Sequence, residues 1–198
     1  MNCFRVRNLT LGVAVIAFLA ASQHLLSQNK PATAPNVLYT ATGTFSSTVV
    51  SGPDRFKLAG QPFTISIIAN EALTPASHGP GWNRYTKLKM SGTVQSGLLP
   101  TPTAISSASS SLELAVLSSL NSNALAIFAP LSIMKGLQIN LTAVMQMPMG
   151  TLSKLAVYPF KAPVTLSSSN NTVTYAEPST GDSTILTIAN GTMSTTLK

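Results

Sequence analysis

Reactive side chains are scarce in this chain. It has one cysteine, one tryptophan, two histidines and five acids among 198 residues. The cysteine, Cys3, lies in the first few residues. If that stretch is removed, no disulfide, thiolate nucleophile or thiolate metal ligand is left. The acids are Asp54, Glu71, Glu113, Glu177 and Asp182, and none forms a close pair in sequence. A glycosidase needs two carboxylates across one bond, so that class is disfavoured. A zinc site needs three or four His, Cys or acid ligands, and His24 and His78 alone do not supply them. No Gly-x-Ser-x-Gly elbow, phosphate-cradling loop or dinucleotide fingerprint is present. No catalytic residue, metal or cofactor is therefore assigned, and a non-enzymatic protein is expected.

Charge is low as well. Asp, Glu, Lys and Arg make up 9% of the chain, against roughly 25% in ordinary soluble domains. The formal charge is +7, and losing Arg5 and Arg7 takes it to +5. The remaining basic residues are dispersed, with Arg84, Lys87 and Lys89 the nearest to a cluster. That density does not make a nucleic-acid footprint, so no nucleic-acid partner is expected.

The start of the chain resembles an export signal in its layout. Arg5 and Arg7 precede an apolar run from Leu9 to Ala21, and Ala20 and Ser22 follow as small residues two apart. The run of 13 is short of the roughly 20 residues that span a bilayer as a helix. This predicts a signal helix over 1–22, cleaved after Ser22, and a flexible arm over 23–36 holding Pro31 and Pro35. The rest, 37–198, is one domain. The expected place is secreted, periplasmic or cell-envelope in a bacterium, with membrane contact only through the signal segment before cleavage.

What the chain does have is Ser, Thr and short alternating apolar segments. The clearest is Leu137 to Met147, LQINLTAVMQM. Leu137, Ile139, Leu141, Ala143, Met145 and Met147 fall on one face of a strand, and polar residues dominate the other. One dry and one wet face argue for an antiparallel sheet. Similar segments recur, separated by Gly- and Pro-rich turns, to give about nine to eleven strands. The predicted fold is all-β, an antiparallel two-layer sandwich rather than a closed barrel. The stretch 111–120 reads as strand, with one short helix as the alternative because Ser110 and Glu113 have capping-box spacing. Arg55–Leu58 and Leu152–Tyr158 read as short strands. Asn190-Gly191 reads as the type I′ turn of a hairpin joining Thr184–Ala189 to Thr192–Leu197.

One local concentration of chemistry stands out. Ser77 to Tyr85 gathers His78, Trp82, Asn83, Arg84 and Tyr85 into a Gly-Pro-rich loop. A Trp face stacks on sugars or cations, and Asn and Arg supply directional donors. The functional expectation is an exported structural, adhesive or interaction module with a protein or glycan partner. The alternative is a carbohydrate- or small-ligand-binding module using the His78–Tyr85 loop. A lipid carrier would show a continuous cavity lined by Met90, Met145 and Met147.

Overall fold

A computed structural model describes residues 34–133, 137–152, 155–166 and 170–198. The predicted signal segment and most of the arm lie outside them. The described chain forms strands β1 (Asn36–Ser51), β2 (Pro62–Asn70), β3 (Ser77–Gly79), β4 (Trp82–Val94), β5 (Thr103–Leu117), β6 (Ser122–Ile133), β7 (Leu137–Pro148), β8 (Val164–Thr165), β9 (Thr172–Ala176) and β10 (Ser183–Leu197). A single 3₁₀ turn, Ser118–Leu120, follows β5. The stretch 111–117 is therefore strand, and only its last three neighbours coil.

The sheet is not a sandwich. Neighbours run β1-β2-β4-β5-β6-β7-β9-β10, and β10 pairs with β1, closing an eight-strand antiparallel barrel. The closing seam aligns Val37 with Leu197 and continues to Ser51 opposite Ile185. Alternation along a strand is the same in a sandwich and a barrel; what separates them is whether the outermost strands find each other.

The dipeptide Asn190-Gly191 is not a turn either. It lies inside β10, where Gly191 faces Gly43 and Asn190 faces Thr44. A Cβ on Gly43 would collide with the Asn190 carbonyl oxygen, and one on Gly191 would come within 2.7 Å of the Thr42 oxygen. The two glycines let the seam strands approach closely. The register then shifts: Phe45 faces Ile188, leaving Ala189 as an extra residue. That bulge restores the facing of β10, so Leu186, Ile188 and Met193 all point inward. A sequence that suits a hairpin thus bends one long strand around a barrel corner.

The inward positions form one core. In β7, Ile139, Leu141, Ala143, Met145 and Met147 are buried, as the alternation predicts. Tyr39, Ile65, Ile67, Leu112, Leu125 and Leu186 from other strands join them. Hydroxyls, amides and ammonium groups dominate the outward positions. This is the inverse of a membrane-spanning barrel, whose apolar band faces outward. Among the described residues no helix is long and apolar enough to cross a membrane.

Both ends of the barrel are covered. At one, the irregular segment after β7 runs across the opening and buries Leu152 and Val157; it is not the strand expected over Leu152–Tyr158. At the other, residues 52–60 form a strap of turns in place of the short strand expected at Arg55–Leu58. Gly52 and Gly60 bound the strap with φ of 82° and 75°, backbone that side-chain-bearing residues rarely adopt. Phe56 and Leu58 hang from it into the core.

Candidate functional site

The stretch singled out in the sequence is a hairpin rather than an open loop, with its second arm paired to β5 in the barrel wall. Ser77 pairs with Arg84, His78 with Asn83 and Gly79 with Trp82. Pro80 and Gly81 make the turn, with Gly81 at φ 82°. His78 is exposed and Trp82 half-buried. The indole lies across Gly79, where a Cβ would collide with Trp82 Nε1.

The other three residues have partners distant in sequence. Arg84 donates through Nε and Nη2 to Glu113 Oε2, at 2.9 and 2.6 Å. Its guanidinium also sits 4.9 Å from the centre of the Phe128 ring. Arg84 thus ties β4, β5 and β6 together on the outer face. Asn83 donates to the Leu155 carbonyl, and the Tyr85 hydroxyl donates to the same oxygen at 2.9 Å. Both hold the segment that covers this end. Burial pushes the Tyr85 phenol above its ordinary value.

The acids are mostly engaged. Glu113 takes Arg84. Asp54 accepts from the Leu58 and Ala59 amides and from the Tyr175 hydroxyl, each at 2.9 Å. Glu177 and Asp182 face Arg55. Among the described residues no group of three or more His, Cys, Asp or Glu side chains converges to hold a metal ion.

A different surface carries an ordered array. On the outside of the barrel, Ser194, Thr40, Ser66, Ser91 and Ser106 are paired in register across β10, β1, β2, β4 and β5. Thr40 and Ser66 hydroxyls lie 3.1 Å apart, so the side chains share that face. A second row two residues along holds Thr192, Thr42, Thr64 and Thr93. Strands sit about 4.8 Å apart and alternate residues about 6.7 Å, so the hydroxyls form a two-way grid.

The first row opens into a groove of about 460 Å³. Ser66, Ser91, Ser106 and Ser107 line it, with Leu38 and Ile68 as apolar floor. Lys89 and Lys198 stand in its wall, and no lining side chain is acidic. The groove exists because the ladder lapses here. Pairing of β2 with β4 stops at Ile68–Lys89, while β1 and β2 continue to Asn36–Asn70. Beside it β4 and β5 shift register twice between Tyr85 and Met90, and Lys87 takes φ 58°.

Sequence reasoning missed this face, although its signal was present. Thr40-x-Thr42, Thr64-x-Ser66, Ser91-x-Thr93 and Thr192-x-Ser194 repeat one outward pattern on four strands. Met90, Met145 and Met147 are not among the residues that line the space found inside the barrel. That space lies near the strap, among Phe45, Ile65, Leu131 and Leu141, and measures about 50 Å³. No family model, curated protein or solved structure matches the chain.

Proposed function

We propose that this protein is an exported, non-enzymatic interaction module that holds an acidic polysaccharide against the outer face of its barrel. The observation that carries this is the row of five hydroxyls in register across five strands, leading into a groove walled by Lys89 and Lys198. A repeating ligand suits a repeating surface, and about 4.8 Å per strand is comparable with one sugar unit of an extended chain. Hydroxyls donate to and accept from sugar hydroxyls, and the ammonium groups meet the carboxylates. Leu38 and Ile68 give an apolar floor for the sugar ring faces. The net charge, +5 once Arg5 and Arg7 are removed, favours the same sign of partner over longer range.

Titration calorimetry of the full chain with polygalacturonate, using dextran as the neutral comparison, tests this. Binding to polygalacturonate alone is expected, weakening as salt rises. Lys89→Ala is expected to weaken it roughly threefold to tenfold, the range for one charge-assisted contact. Ser66→Ala with Ser91→Ala should weaken it further, and Trp82→Ala should leave it unchanged. Equal affinity for dextran, or no binding at low salt, overturns the proposal. Loss of binding in Trp82→Ala alone would move the contact to the β3–β4 hairpin.

A further inference from the structure

The strap end of the barrel holds a ligand-like arrangement made from the chain itself. Phe56 lies over the interior space, 8% exposed, with Leu58 beside it. Its ring meets Tyr175 edge-on, with centroids 5.1 Å apart and planes at 65°. Its main-chain carbonyl accepts a hydrogen bond of 2.6 Å from the Ser96 hydroxyl, a polar group only 5% exposed. An aromatic ring and a carbonyl are thus held by an apolar chamber and one buried donor at its mouth.

The strap that delivers Phe56 is a self-contained run of turns with its own internal bonds. Its two glycine ends carry positive φ, and Asp54 ties it internally by accepting from the Leu58 and Ala59 amides. Besides the Ser96 contact, the Gly97 amide donates to the Lys57 carbonyl and the Gly60 amide to the Ser46 carbonyl, both at 2.9 Å. The Tyr175 hydroxyl donates to Asp54, the Thr184 hydroxyl donates to the Pro53 carbonyl at 2.7 Å, and Arg55 pairs with Asp182. The space left under the strap, about 50 Å³, is smaller than an aromatic ring requires. A guest of that size therefore enters only when Phe56 leaves.

We infer that this end of the barrel is a binding site for a small neutral molecule combining an aromatic or branched alkyl group with a carbonyl, and that Phe56 occupies it as an internal plug. The guest's apolar part takes the place of the Phe56 ring between Phe45, Leu131 and Leu141. Its carbonyl oxygen takes the Ser96 proton that Phe56 now accepts. The site is separate from the outer groove and does not depend on the glycan reading.

Acetophenone and toluene serve as probes with and without the carbonyl, followed by amide chemical shifts of the full chain. Wild type is expected to bind acetophenone weakly, with shifts confined to the strap and to the chamber walls on β1, β6 and β7. Phe56→Ala is expected to bind it at least tenfold more tightly. Tyr175→Phe, which keeps the ring and removes the Asp54 contact, should bind severalfold more tightly and serves where Phe56→Ala does not fold. Ser96→Ala should erase the preference for acetophenone over toluene. Affinity unchanged in both plug-releasing variants overturns the inference. So does an undiminished acetophenone preference in Ser96→Ala, or shifts that map to another surface.

Discussion

The two ends of the barrel are closed differently, and among the described residues only one of them uses charge. At one, neutral phenols reach main-chain groups of the covering segment. Tyr39 donates to the Tyr158 carbonyl at 3.0 Å and accepts from the Tyr158 amide at 2.9 Å, while Tyr85 and Asn83 share the Leu155 carbonyl. Phe160 leans edge-on against Tyr39, and its amide donates to the Thr195 hydroxyl at 2.7 Å. At the other end, charged groups join in fastening the strap, through Asp54 on Tyr175 and Arg55 on Asp182, beside the Ser96 and Thr184 hydroxyls on its carbonyls. Arg55 is half exposed, so water and salt compete for that contact. The lesson is one of permanence. Both covers rest on uncharged bonds to main-chain groups, and the strap adds a partly wet ion pair that holds only loosely.

Substitutions can break this contrast. Tyr39→Ala should have the largest effect, about 4 kcal/mol by urea unfolding, because it removes a fully buried ring and both of its bonds. Phe56→Ala at the strap end should cost less, about 2–3 kcal/mol, because the strap can settle into the space. A cost equal to that of Tyr39→Ala would make the two covers equivalent. Tyr39→Phe isolates the polar part. It should cost about 2 kcal/mol, since the Tyr158 amide and carbonyl are left without their partner.

Alkali acts on both ends. Burial raises the phenols of Tyr39 and Tyr85, and Tyr175 is pushed up to about 12 by burial and by the neighbouring Asp54 carboxylate. In the unfolded chain these groups lose their protons near 10, while in the fold they keep them to higher pH. Between those values the unfolded state binds fewer protons, so stability falls as pH rises. Urea midpoints should be level with respect to these groups below pH 10 and should drop from there through pH 12. Tyr175→Phe should make that drop shallower. The smallest effect is that of Arg55→Ala, below about 1 kcal/mol. Its signature is local: amide exchange should quicken in the strap and stay unchanged between Leu155 and Phe160, and 1 M salt should imitate it in wild type.

Local features of the fold were legible in the sequence, and long-range ones were not. The β7 segment announces its two faces because burial there repeats every second residue. Closure is invisible locally, since it depends on β1 meeting β10 across most of the chain. Asn190-Gly191 misleads for a related reason. Its small size serves close packing against Gly43, and the same two residues would equally suit a turn. Among the candidate residues, the hairpin's composition drew attention to Arg84 and Tyr85, whose partners Glu113 and Leu155 are distant in sequence. The hydroxyl grid spells out its alternation strand by strand, but its rows exist only after five strands take their places.

The seam between β1 and β10 also governs the order of assembly. Residue 37 has to await residue 197, so the ring cannot be completed until the long stretch between them has been made. Contacts so remote along the chain slow folding, and until they form, the first strand exposes a bare edge to any neighbour. Once the final turn of the ring is made, each of its eight strands has a neighbour on both sides, and the ladder lapses only locally, as beside Lys89. The hazardous moment thus precedes closure, and the closed ring leaves far less edge open to a neighbouring strand.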